Sequence, residues 1–333
     1  MTTIHQTLND LATGNNLTSD QSREIFTALL TGRLTPAQSG ALLMGLSAKG
    51  ETPDELGAAV DAAMAQARLV PDLTGKRIDT CGTGGDGKKS FNCSTAVALF
   101  LADLGYQVVK HGNRAVSSQC GSADVVESLG YPLVDDPEQV AEELRKRNFV
   151  FLFAPHFHPA FKHVAPIRQE LRIRTLFNLM GPLLNPAEPT HQIIGIPNPQ
   201  FAPMLARVLV KRKELTAAIV HGAGGFDEVT PCGTSSVLYV DRGKTRSCFI
   251  VPRELGISLC KPEELICPTK KEALAMQTAI LTGNAPKAVK DMVALNLGLA
   301  LHLLEDDLTL KEGVDQALEA LNCGLRRGSE YAA

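Results

Sequence analysis

No C-x-x-C pair occurs in this 333-residue chain, although eight cysteines are scattered singly from Cys81 to Cys323. That absence excludes the common zinc ribbons and argues against a disulfide framework, so reduced thiols are expected. Nor is there an excess of basic residues: 33 Lys and Arg stand against 36 Asp and Glu, a net charge of -3. No overall positive field draws the chain to nucleic acid or anionic lipid. Long apolar runs are missing too. The most apolar late stretch, MVALNLGLALHLL, is short, broken by Asn296 and His302, and reads as a core helix. The opening residues MTTIHQTLNDLATGNN lack the basic and apolar segments of a signal peptide. A soluble, cytoplasmic protein with no nucleic-acid or membrane partner is therefore expected. Internal repeats and low-complexity segments are absent, and the length suits one large domain or two ordinary ones.

What is present falls into two regimes. The first seventy residues carry helical signals only. Ser19 can cap a helix through EIFTALLTG, Thr35-Pro36 opens a second that stops at Gly50, and Thr52-Pro53-Asp54-Glu55 is a capping box for a third. Their apolar residues recur at helical spacing, which predicts a small bundle. From Arg77 the pattern changes to short apolar runs alternating with helices: RIDTC, YQVVKHG, FVFLFAP, HQIIGI, TAAIVHG, SSVLYVD and RSCFIVP. The fold class expected is α/β, with a small N-terminal helical domain and a larger domain built on a central, largely parallel mixed sheet flanked by helices. The boundaries expected are 1–72 for the helical domain, joined by helices from about 158–187, and 73–333 for the α/β domain. Helices are also expected near 269–283, 285–305 and 309–322.

The unusual polar motifs all follow strands, where parallel sheets bind ligands. CGTGGDGKKSFNCST, residues 81–95, fits G-x-G-x-x-G through Gly82, Gly84 and Gly87, and almost fits a P-loop, failing at Lys89. Backbone amides in such a loop, at a helix beginning near Ser94 or Thr95, favour an anion. Asp86 would repel phosphate unless it binds a sugar hydroxyl or a metal, so a ligand carrying both hydroxyls and phosphates is implied. A plain tight turn would also account for the glycines.

KHGNRAVSSQCGSAD, residues 110–124, gathers Lys110, His111, Asn113 and Arg114 with Ser117, Ser118 and Ser122. Cations with hydroxyls suit a phosphate-rich anion; a solvated loop with Ser122 as an N-cap is the alternative. VHGAGGFDEVTP places Asp227 beside Glu228 on a loop, a pairing suited to Mg²⁺. In HVAPIRQELRIRT an arginine could hold a substrate carboxylate through its planar fork, and spacing does not choose among Arg168, Arg172 and Arg174. No Ser-His-Asp set, thiol nucleophile or clear general acid or base stands out. That fits a reaction whose leaving group needs only positioning and charge neutralisation.

The order of GTGGDG…FN.ST, KHGNR..SS..GSAD, P.R.EL..RT.FN..GPL.NPA and HG..G.DE resembles the anthranilate phosphoribosyltransferase family over residues 20 to 300. The resemblance implies a homodimer formed through the helical parts, Mg²⁺ as cofactor, and phosphoribosyl pyrophosphate (PRPP) and anthranilate as substrates, in L-tryptophan biosynthesis. It implies PRPP contacts from Gly82, Gly85, Asp86, Ser90, Asn92, Cys93, Ser94 and Thr95. A second set would close over the ligand: Lys110, His111, Gly112, Asn113, Arg114, Ala115, Val116, Ser117, Ser118 and Ser122. Ser94, Asp227 and Glu228 match the family's metal ligands, and Gly82, Asn113 and Arg168 its anthranilate contacts. Ser90 stands where threonine is common, and Cys93 where an aliphatic residue is usual. The rivals are a pyrimidine nucleoside phosphorylase-like enzyme, which needs no Asp-Glu metal loop, and a non-catalytic nucleic-acid-binding relative, which would have lost these loops and gained basic surface.

Overall fold

The computed structural model describes residues 4–114 and 121–326. It opens with four helices, α1 (Ile4–Ala12), α2 (Ser19–Leu30), α3 (Pro36–Lys49) and α4 (Pro53–Met64). Reciprocal capping boxes start three of them: Thr18 with Gln21, Thr35 with Gln38, and Thr52 with Glu55. The cap of α2 is thus Thr18, and Ser19 is the first helical residue. Helix α1 is an addition to the three expected; its nine residues reach the bundle core through Ile4, Leu8 and Leu11. The Glu55 carboxylate is fully buried and accepts from Leu17 N–H at 2.8 Å, Thr52 N–H at 2.8 Å and Lys49 Nζ at 2.9 Å. One side chain so ties the α1–α2 connection and the end of α3 to the start of α4.

Among the described residues eight strands form one sheet: β1 (Arg77–Gly82), β2 (Gln107–Gly112), β3 (Leu133–Val134), β4 (Phe149–Phe153), β5 (His191–Gly195), β6 (Thr216–His221), β7 (Ser235–Asp241) and β8 (Lys244–Ile250), in the order β3-β4-β2-β1-β5-β6-β7-β8. The first six run parallel, and β7 and β8 close the far edge antiparallel. The chain builds outward from β1 through β2 and β4, then returns to the other side as β5 and β6. A topological switch point therefore lies between β1 and β5, where ligand crevices form.

The remaining helices are α5 (Cys93–Asp103), α6 (Ser122–Ser128), α7 (Val140–Arg147), α8 (Ala154–Phe157), α9 (Ala165–Leu171), α10 (Phe177–Met180), α11 (Ala202–Leu209), α12 (Lys270–Leu281), α13 (Lys287–Leu304) and α14 (Leu310–Cys323). Helices α5, α12, α13 and α14 share one large apolar cluster with β1, β2 and β6. A second cluster joins Leu29, Leu42 and Val60 of the N-terminal helices to Val164, Phe177 and Met180 and to α11. The 158–187 segment thus packs on the N-terminal helices beside the carboxyl ends of the strands. Among the described residues no helix is long and apolar enough to cross a membrane.

Candidate active site at the carboxyl edge of the sheet

The strands that frame the crevice share one sequence feature: β1, β2 and β5 end in Gly82, Gly112 and Gly195, and β6 is followed by Gly222. The reason is steric. A Cβ at Gly195 would lie 1.8 Å from the Asp227 carbonyl oxygen, one at Gly222 would lie 1.8 Å from that of Glu228, and one at Gly82 would lie 2.6 Å from Asp227 Oδ2. The Asp227-Glu228 loop is laid flat across the ends of β1, β5 and β6, and only glycine leaves it room.

The loop after β1 arrives at the same place. Gly84, Gly85 and Gly87 have φ of 67°, 79° and 69°, a left-handed path that side chains resist, and Lys89 follows at 55°. This path turns Asp86 toward the other two acids, and one oxygen of each of Asp86, Asp227 and Glu228 lies within 4.8 Å of the others. Among the described residues, Asp86 Oδ2 and Glu228 Oε2 are buried without a hydrogen-bond partner. Burial and the Asp86 charge push the Asp227 carboxyl up to about 6, and burial beside Asp227 holds Glu228 well above the carboxylate range. Three crowded carboxylates with spare oxygens form an all-oxygen donor set, the chemistry of a hard divalent cation such as Mg²⁺.

Facing this cluster is the N-terminus of α5. Its cap is Asn92, whose side chain accepts from Thr95 N–H at 3.0 Å and from Ser94 Oγ at 3.2 Å. The helix therefore starts at Cys93, one or two residues earlier than the expected start near Ser94 or Thr95. Ser94 and Cys93 line a small cavity of about 20 Å³ together with Asp227 and Glu228. Beneath it the Lys110 ammonium donates to the Thr80 carbonyl and, at 3.2 Å, to Ser94 Oγ. Burial pulls Lys110 below its ordinary pKa while Asp79 and Glu228 push back. The lysine is a buried counter-charge under the acid cluster.

A larger cavity of about 480 Å³ opens next to this floor, lined by Gly82, His111, Asn113, Phe161, Arg168, Phe177 and Pro182 among others. Arg168 lies 5.6 Å from the centre of the Phe177 ring, and burial lowers its pKa. Arg174 instead stacks on Phe201 and reaches Gly85, while Arg172 is the left-handed residue ending α9. Burial, with His158 alongside, pulls His111 down to about 3, so its ring is neutral at neutral pH, and its buried Nε2 has no partner among the described residues. Three consecutive carbonyls of the cavity wall are each held by a different element: Pro182 by Gln192 at 2.6 Å, Leu183 by Arg212 at 2.6 Å and Leu184 by His158 Nε2 at 2.8 Å. The wall is rigid by construction.

Residues 74–326 match the glycosyl transferase family a/b domain, and residues 5–67 match that family's helical bundle domain. The anthranilate phosphoribosyltransferase of Nitratidesulfovibrio vulgaris is 50% identical over 322 residues, covering 95% of each chain. The chain belongs to the anthranilate phosphoribosyltransferase family. The family's crystal structure from Thermus thermophilus superposes with a TM-score of 0.87 at 37% identity, covering 98% of this chain and 99% of that one. The Saccharomyces cerevisiae family member, in complex with PRPP and Mg, shares the fold at a TM-score of 0.88 and 24% identity, covering 98% and 96%.

Of the residues that resemblance to the family singled out, Gly82, Gly85, Asp86, Asn92, Cys93, Ser94, Thr95, Lys110, Asp227 and Glu228 gather at the acid cluster and the α5 start. His111, Gly112, Asn113 and Arg168 face the larger cavity. Ser90 lies further along the loop, bridged to Ile266, with Lys89 O accepting from Cys267 N–H at 2.8 Å. Arg114 forks onto Glu127 at 2.6 and 2.9 Å and stacks on Phe153. Ser122 is the first residue of α6, its Oγ donating to Asn113 O at 3.4 Å, and the N-cap position belongs to Gly121. Ala115, Val116, Ser117 and Ser118 lie outside the described residues. Sequence reasoning missed Gln192, Arg212 and His158, which carry no local motif, and Gly195 and Gly222, whose signal was visible in the repeated strand-ending glycine.

Proposed function

We propose that this chain is a magnesium-dependent anthranilate phosphoribosyltransferase. It would transfer the 5-phosphoribosyl group of PRPP to the amine of anthranilate, giving N-(5-phosphoribosyl)anthranilate and pyrophosphate on the way to L-tryptophan. The observation that carries this reading is a juxtaposition: an all-oxygen cation site at a helix N-terminus stands beside a separate, largely apolar cavity lined by a half-buried arginine, Arg168. The names of the relatives and the PRPP and Mg held by the yeast protein support it.

In this reading Asp86, Asp227, Glu228 and Ser94 hold Mg²⁺, which when bound neutralises the charge gathering on pyrophosphate as it leaves C1 of the ribose. The amides of the 82–92 loop and of the first turn of α5 hold the phosphates. Arg168 pairs with the anthranilate carboxylate through its fork. Asn113 and the Gly82 backbone orient the ring beside it. His111, held neutral by burial, lines the cavity without adding charge, and the proton lost from the amine as the C–N bond forms leaves with the pyrophosphate.

The same reading assigns residues 1–72 with 158–187 to a helical domain and 73–333 to the catalytic α/β domain. A homodimer through the helical part is supported by Met44 and Ile173, large apolar residues left 50% and 41% exposed there. The described cysteines are all free, in keeping with a cytoplasmic enzyme. The test is product stoichiometry: one pyrophosphate should appear per anthranilate consumed, only with PRPP and Mg²⁺ present. Phosphorolysis of a pyrimidine nucleoside without such turnover would favour the rival instead.

A further inference from the structure

Helix α13 is apolar through most of its length, yet Asn296 sits in its middle, 4% exposed. A buried amide in such a place costs stability unless its groups are paired. Two of its three hydrogen bonds go to one residue. Oδ1 accepts from Val229 N–H at 3.0 Å, and Nδ2 donates to Val229 O at 2.7 Å and to Met292 O at 2.8 Å. Both main-chain polar groups of the residue that follows Glu228 are thus closed by a single side chain, as a neighbouring strand would close them.

Asn296 also lines the small cavity that Ser94, Asp227 and Glu228 share. The helix carrying it is held in turn by a close crossing: a Cβ at Gly298 would lie 2.6 Å from Val314 N, and one at Gly313 would lie 2.6 Å from Gly298 O. Backbone therefore meets backbone between α13 and α14, and α13 has little freedom to shift. Elsewhere the loop is tied mostly to itself, through Thr230 Oγ1 to Ala223 O at 2.9 Å, Gly222 N–H to Phe226 O at 2.9 Å and Gly225 N–H to Gly222 O at 3.1 Å.

Resting on the function proposed above, we infer that Asn296 is a positioning residue for the cation site. It fixes the chain immediately after Glu228 to a rigid helix and so holds the Glu228 carboxylate in register with Asp227 and Ser94. Groups that hydrogen-bond a metal ligand directly change metal affinity by about 10- to 100-fold when lost, and Asn296, which acts through the main chain of the next residue, is expected at the lower end of that range.

The test compares wild type, Asn296→Leu, which strands both Val229 groups, and Asn296→Ser, which leaves space for a water beside them. Mn²⁺ binding to the protein alone is read by loss of the free-ion electron paramagnetic resonance signal, without pyrophosphate, which would chelate the ion itself, and thermal unfolding reports folding. The expected result is a Kd for Mn²⁺ raised about tenfold or more in Asn296→Leu and less in Asn296→Ser. The Mg²⁺ concentration for half-maximal turnover should rise in step, with the KM for anthranilate within about twofold of wild type, inside a factor expected of an untouched site. Should Asn296→Leu fail to fold, the serine variant decides. Folded variants with wild-type Mn²⁺ affinity, or with KM for anthranilate raised as much as the metal requirement, overturn the assignment. Wild type that binds Mn²⁺ but consumes no anthranilate overturns the proposed reaction and not the role of Asn296.

Discussion

Gly82 and Asp227, distant in the chain, stand so close that a methyl group on the glycine would lie 2.6 Å from the aspartate Oδ2. The contact makes the opening glycine of the loop a condition for the acid cluster. Gly82→Ala should push the Asp227 carboxylate out of register and raise the Mg²⁺ needed for half-maximal turnover by about tenfold or more. Thermal unfolding should change little, since φ at Gly82 lies outside the left-handed region. An Mg²⁺ titration of the variant checks this, and an unchanged curve would contradict it.

The metal-free protein is strained by its own charges. Asp227 is held up from 3.8 to about 6 by burial and Asp86. As pH rises through this window, the unfolded chain releases a proton that the folded one retains, so folding is penalised. Asp227→Asn removes the penalty. The variant should melt at a higher temperature than metal-free wild type at pH 7, yet lose both metal-dependent turnover and the extra stability that Mg²⁺ gives wild type. Scanning calorimetry with and without Mg²⁺ separates these effects. A variant melting below metal-free wild type would show that the acids are not in conflict.

Three histidines couple stability to acid. Burial lowers His111 to about 3 and His158 and His191 to about 4. Below the ordinary value of 6.5 the unfolded chain takes up protons that the folded protein refuses. Stability is therefore full above pH 6.5 and falls toward pH 4, by about 1.4 kcal/mol per pH unit for each histidine. Urea unfolding at pH 7 and pH 5 should show the loss. His191→Asn, away from the site, should flatten the dependence by about one histidine's share.

Much of this was legible in the residues. The helix start at Thr35-Pro36, the capping box at Thr52 and the runs from RIDTC to RSCFIVP stand where their patterns put them, because caps and apolar periods are local. Leu133–Val134 is too short for an alternation to show, and α11 is masked by the surrounding prolines of NPQFAP. The motifs gave the acids and cations but not their arrangement. Spacing could not separate Arg168 from Arg174, since only the fold sends one to the cavity and the other to Gly85. His111 was visible as a residue, but its neutral, unpartnered Nε2 depends on burial against His158, which no local pattern encodes.

The central claim rests most directly on anthranilate itself. Its fluorescence should decay when the protein, PRPP and Mg²⁺ are mixed, and should stay constant with EDTA or with Asp227→Asn combined with Glu228→Gln. In the same assay Arg168→Ala should raise KM for anthranilate well above any change in KM for PRPP. Constant fluorescence at high concentrations of folded wild-type protein, with PRPP and Mg²⁺ both saturating, would contradict the account.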